Sequence, residues 1–111
     1  MNSVALSGTL TEDPELHEDG AEPVRCRMRL AVPRHARGGQ HEPGVVYVAV
    51  TTFGLEALDC AERLCRGDRI GVTGRIEQDK HRTSEGWRVD HSVLIGQLDL
   101  PPETKKDEEE Q

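Results

Sequence analysis

The chain has 111 residues, of which 34% are apolar, and a formal net charge of -7. That length holds one domain with a modest core, marginally stable alone and helped by oligomerisation. It contains no run of about 18 apolar residues, which excludes a membrane-spanning helix, and its opening, MNSVALSGTL, has no basic segment, so no signal peptide is expected.

In chain order, the segment from Asn2 to Leu10 alternates, with Val4 and Leu6 on one side and Gly8 marking a bend. Pro14, Gly20 and Pro23 punctuate the next stretch around a short extended piece at Glu15 to His17. Val24 to Val32 reads as a second strand: Cys26, Met28, Leu30 and Val32 point one way and Arg25, Arg27 and Arg29 the other. A polar, Gly-rich loop, PRHARGGQHEPG, precedes the β-branched strand Val45 to Phe53. There Val46, Val48 and Val50 share one face, and Tyr47, Ala49, Thr51 and Phe53 the other.

The period then turns helical. Leu55, Leu58, Ala61 or Glu62, Leu64 and Cys65 form a stripe, with Arg63 and Arg66 in the last turn and Gly67 at the C′ position. Asp68 to Gln78 predicts a fourth strand, Asp79 to Gly86 a loop, and the segment through Leu100 a fifth strand. The pattern predicts an all-β, five-stranded Greek-key OB-fold barrel, with one α-helix between strands 3 and 4. An open antiparallel sheet with one packed helix is the rival. The OB-fold domain is expected over residues 1–100, followed by a short disordered acidic tail, 101–111.

Cys26, Cys60 and Cys65 are odd in number and lack metal-site spacing, so they read as buried small hydrophobes in a reducing cytosol. The charge is uneven. The last nine residues hold five acids and two lysines, and Glu12 to Glu22 holds six acids. Between Val24 and Gln40 there are five arginines and no acid. Bulk charge argues weakly against a polyanion partner, while local charge leaves one open. No phosphate loop, metal cluster or nucleophile with its base appears; no enzymatic activity, metal or cofactor is expected.

Several of these residues carry a resemblance. The turn built on Gly8, Leu10, Asp13, Pro14 and Glu15, the strand Met28 to Val32, and the segment FGLEALDCAERLCRGDRIGVTGRI resemble, in order, the bacterial single-stranded DNA-binding protein family. The resemblance runs over about residues 1–98. It implies a barrel that usually assembles as a homotetramer, or here a dimer, and wraps single-stranded DNA.

It also implies site residues. Tyr47 and Phe53 fall where the family places stacking aromatics, on the same face as Thr51. Ala36 and His81 fall where other aromatics are usual. Arg25, Arg27 and Arg29 lie on the face that meets nucleic acid, where arginine contacts phosphate and stacks on bases. Arg34, Arg37 and Arg75 read as electrostatic helpers; His35 and His81 as possible ligand contacts, and the other histidines as surface residues. Each has a plainer reading. The arginine strand could be a solvated or aggregation-protected face; Tyr47 and Phe53 could be core; Trp87 fits barrel filling, a subunit interface or stacking.

The expected function is sequence-independent binding and protection of single-stranded DNA in replication, repair or recombination, in a bacterial cytoplasm and nucleoid. The alternative is an OB-fold protein-interaction or assembly module of the same ancestry with weak or lost DNA binding. The tail, DEEEQ, supplies the family's acidity without its Pro-Phe hook, so docking of replication enzymes through it is not expected.

Overall fold

The computed structural model describes residues 1–20, 22–34 and 44–99. Arg37, His35, Ala36 and the acidic tail lie outside the described residues. The strands are β1 (Val4–Leu10), β2 (Glu15–His17), β3 (Arg25–Pro33), β4 (Val45–Phe53), β5 (Arg69–Thr83) and β6 (Gly86–Asp99). One helix, α1 (Gly54–Arg63), lies between β4 and β5. The strand order is β1-β5-β6-β4-β3-β2, and β1 also pairs with β3, which closes the sheet. The pairings are antiparallel except β4–β6, which is parallel at Val50↔Val93 and Thr51↔Leu94.

This is the expected all-β OB fold with one strand more than the five anticipated. The sixth is β2, three residues long. It pairs Glu15 to His17 with Arg25 to Arg27, while β1 takes the rest of the same β3 edge through Thr9↔Ala31 and Leu10↔Leu30. Counting β2 moves the helix from between the third and fourth strands to between the fourth and fifth.

Closure depends on two glycines where backbones cross. A Cβ on Gly8 would lie 2.5 Å from the Ala31 carbonyl oxygen, and one on Gly74 would lie 1.9 Å from that of Leu94. Gly74 also sits at the register shift after Thr73. A bulge there bends β5 as small barrels require.

The core follows the alternation. Cys26, Met28 and Leu30 of β3 and Val50 of β4 are buried, joined by Leu10, Ile70, Val72 and Val93. Burial of each large side chain contributes about 1.5–3 kcal/mol. Val46 departs from the expected valine face, being 49% exposed at the outer end of β4.

The helix corrects the predicted stripe. Its buried residues are Ala57 and Cys60, followed by Leu64 at the C-cap, whereas Leu55 is 85% exposed and Leu58 is also exposed. Small residues face inward because α1 packs closely on β3 and β4. The helix ends at Arg63, so Arg66 and Gly67 belong to the next turn, where the Gly67 N–H donates to the Leu10 carbonyl at 2.9 Å. Asp13 accepts from the Arg66 N–H at 2.8 Å, tying this turn to the one after β1.

The expected loop from Asp79 to Gly86 is instead a hairpin. β5 and β6 stay in register from Asp79↔Asp90 to Thr83↔Gly86, leaving Ser84 and Glu85 as the turn. Both faces of this projecting ribbon are solvated, so its strands lack the apolar alternation that marks a half-buried strand.

Cys26 and Cys60 are buried free thiols. Burial, then the neighbouring Cys26, Glu56 and Asp59, pushes the Cys60 thiol from its ordinary 9.0 up to about 12, with Arg63 opposing. The folded protein therefore holds the Cys60 proton more tightly than the unfolded chain. This contribution to stability is present below pH 9 and is lost as pH rises toward about 12. Urea midpoints at pH 8 and 10.5 should fall less for Cys60→Ala than for the parent; an equal fall would contradict the assignment. Gly74→Ala is expected to destabilise by roughly 3 kcal/mol, while Gly20→Ala, whose added Cβ meets nothing within 4 Å, leaves the melting temperature unchanged.

Candidate nucleic-acid interface

β3 and β4 present one continuous outer face. Their register sets Arg25 opposite Phe53, Arg27 opposite Thr51, Arg29 opposite Ala49 and Ala31 opposite Tyr47. The intervening rungs, Cys26↔Thr52, Met28↔Val50 and Leu30↔Val48, point into the barrel. Tyr47 and Phe53 are 57% and 45% exposed, so neither belongs to the core. The Arg29 guanidinium lies 4.5 Å from the Tyr47 ring centroid, a cation–π contact.

The face continues onto the neighbouring pair. The parallel rung Thr51↔Leu94 brings β6 beside β4, and β5 follows through Glu77↔Ser92, Asp79↔Asp90 and His81↔Arg88. Two adjoining clefts result. One, of about 440 Å³, is lined by Arg25, Arg27, Thr51, Phe53, Asp79, His81 and Asp90, with His17, His91, Ser92 and Leu94. The other, of about 480 Å³, runs past Arg27, Arg29, Tyr47, Ala49 and Arg88 and includes Glu12 and Glu15. Arg27, His17 and His91 line both.

The cations differ in availability. Arg25 pairs with Glu22 at 3.2 Å and Asp19 at 3.6 Å, Arg75 with Glu77 at 2.9 Å, and Arg88 with Asp90 at 3.1 Å. His81 lies 3.6 Å from Asp90, and His17 lies 3.4 Å from Glu15. Arg27 and Arg29 make no ion pair among the described residues. The chemistry available is thus two guanidinium groups without an ion pair among the described residues, one of them over the Tyr47 ring, between two exposed rings, suited to phosphates and flat apolar faces. Among the described residues no group of three or more His, Cys, Asp or Glu could hold a metal ion.

The structure brings Arg25, Arg27, Arg29, Tyr47, Thr51, Phe53 and His81 to these clefts. Arg34 is exposed just beyond β3, its N–H donating to the Gly44 carbonyl at 3.2 Å. Arg75 is exposed on β5, opposite Leu94, and lines neither cleft. Trp87 is 70% exposed near the hairpin tip, outside both clefts. That position excludes barrel filling. Sequence reasoning missed His17, His91, Arg88 and the acids Asp79 and Asp90. Only the parallel β4–β6 contact and the length of the hairpin bring these residues to β3, and neither leaves a local sequence signal.

Known proteins match the chain along nearly its whole length. The model of the single-strand binding protein family matches residues 1–107. Single-stranded DNA-binding protein 1 of Clostridium acetobutylicum is 28% identical over 108 residues, covering 96% of this chain and 98% of that protein. Single-stranded DNA-binding protein 3 of Listeria innocua is 34% identical over 97 residues, covering 87% of this chain and 61% of that protein. Single-stranded DNA-binding protein B of Bacillus subtilis is 33% identical over 89 residues, covering 80% and 79% respectively. With the closed sheet, the crossing glycines and the match along nearly its whole length, the chain belongs to the single-strand binding protein family.

Proposed function

We propose that the chain binds single-stranded DNA without sequence preference, through the outer face of β3 and β4. The observation that carries this reading is the pair Arg27 and Arg29, which make no ion pair among the described residues, although Glu15 stands opposite Arg27, and which are flanked by the exposed rings of Tyr47 and Phe53. Single strands are held by phosphate-tracking cations together with aromatic platforms for unpaired bases. Thr51 and His81 line the same cleft and complete its polar wall. The names of the relatives support the reading, since all three proteins described above are single-stranded DNA-binding proteins.

Protection of exposed strands in replication, repair or recombination, in a bacterial cytoplasm and nucleoid, follows from this activity. Membership of the family supports a homo-oligomer, tetramer or dimer, that presents several such faces to one strand. The role is binding rather than catalysis. One observation favours the alternative of an assembly module with weak DNA binding: Glu12, Glu15, Asp79 and Asp90 line the clefts and lower their positive potential.

Fluorescence anisotropy of labelled oligo-dT across a salt series separates the two. Arg27→Ala/Arg29→Ala should flatten the log–log salt slope by about 1.4, from two single-strand contacts of about 0.7 each. Arg25→Ala should change it by less than about 0.7, because Glu22 and Asp19 already neutralise that side chain. If parent and double variant are equally inert at low salt, the assembly-module reading stands instead. Tyr47→Ala and Phe53→Ala are each expected to weaken binding by about 1–3 kcal/mol, the worth of one stacked base. Isothermal titration at fixed salt measures that loss, and an unchanged affinity would remove the ring from the site.

A further inference from the structure

Three of the five histidines of the chain, His17, His81 and His91, line the cleft at Phe53, and they come from three strands, β2, β5 and β6. His17 and His91 also line the cleft at Tyr47. The strand registers set His17 opposite Arg25, His81 opposite Arg88 and His91 opposite Gln78. His81 and His91 are exposed and His17 is partly exposed, so all three imidazoles are open to solvent. Histidine is the side chain whose charge ordinarily changes between about pH 5 and 8. Here that change falls on a face where the other charges are closely balanced. In the cleft at Phe53, Arg25 and Arg27 of β3 are cancelled by Asp79 of β5 and Asp90 of β6, while Thr51 and Phe53 of β4 bring no formal charge. Asp19 and Glu22 engage Arg25 further. In the cleft at Tyr47, Glu12 and Glu15 oppose Arg27, Arg29 and Arg88, and Asp90 already holds Arg88.

A strand that enters with the imidazoles neutral meets carboxylates that repel its phosphates. Protonation removes that obstacle at the acids themselves. The Nε2 atom of His17 lies 3.4 Å from Glu15, and that of His81 lies 3.6 Å from Asp90. A proton on either ring offsets the acid beside it. His91 makes no ion pair among the described residues, so a proton there adds a charge that no neighbour takes up. We propose that single-strand binding at these clefts is coupled to proton uptake by His17, His81 and His91, so that the face holds its ligand more tightly at pH 6 than at pH 8. This rests on the single-strand-binding reading above and deepens it, giving three imidazoles the role of switchable phosphate contacts beside the constant charges of Arg27 and Arg29. The coupling is reciprocal: charged imidazoles attract the strand, and the bound polyanion favours charged imidazoles.

The test uses the full chain and oligo-dT, because thymine and the phosphodiester do not titrate between pH 6 and pH 8. Anisotropy of an oligomer carrying a pH-insensitive dye, at fixed salt, should show binding at least about tenfold tighter at pH 6 than at pH 8, the effect of about half a proton taken up on average across that interval. The log–log salt slope should steepen at pH 6 by about 0.7 for each imidazole engaged. Isothermal titration of the parent at pH 6.5, in two buffers of unlike ionisation enthalpy, should give heats that differ by the protons taken up. That measurement needs no variant. His17→Gln/His81→Gln/His91→Gln keeps His35 and His41 in place and should shrink the ratio of affinities between the two pH values to within about twofold. Equal heats in the two buffers overturn the coupling and spare the single-strand-binding reading. A tenfold pH dependence that survives in the triple variant overturns the assignment to these imidazoles. No binding of oligo-dT by the parent at either pH overturns both.

Discussion

The register of β3 against β4 holds the interior of this protein apart from its arginine-bearing outer face. Every second rung of that pair faces the core, and the rungs between carry Arg25, Arg27, Arg29, Tyr47 and Phe53. A slip of one residue would drive three guanidinium groups into a space lined by Leu10, Val72 and Val93. Contacts at both ends pin the alignment. The Gly54 N–H donates to the Val24 carbonyl at 2.8 Å, and the Arg34 N–H donates to the Gly44 carbonyl at 3.2 Å. Ring closure at Gly8 and Gly74 fixes the remaining strands around that pair.

The same geometry answers why an acidic chain lines up arginines on alternate residues. Net charge describes the whole molecule, whereas a polyanion meets one face of it. Here acids are placed to temper some cations and not others. Asp19 and Glu22 engage Arg25, and Asp90 serves both Arg88 and His81. Arg27 and Arg29 make no ion pair among the described residues, and Arg29 lies over the Tyr47 ring. Exposed ion pairs of this kind add little to stability. Their larger effect is on the field inside the cleft.

Much of the fold was legible because alternation is a local signal. Val45 to Phe53 matched the observed strand at both ends, and the opposed faces of Val24 to Val32 were readable from side-chain type alone. The helix was legible in position but not in orientation. Its leucines suggested a buried stripe, yet the close approach of β3 admits only Ala57, Cys60 and Leu64. The hairpin was misread because a solvated ribbon has no apolar period. The site was half legible. Residues contributed by β3 and β4 followed from their own alternation, whereas His91, Asp79 and Asp90 depend on a parallel contact made across the barrel.

Ring closure also bears on how the chain folds as it is synthesised. β1 leaves the ribosome first, yet six of its residues pair with β5, which follows the helix. Until β5 emerges, the β1 edge that it will cover has no partner, although β2 and the end of β1 can already shield β3. Pairings so distant in sequence form late and slowly. The nascent molecule therefore carries an open hydrogen-bonding edge until β5 emerges, the state in which β proteins are most prone to associate wrongly.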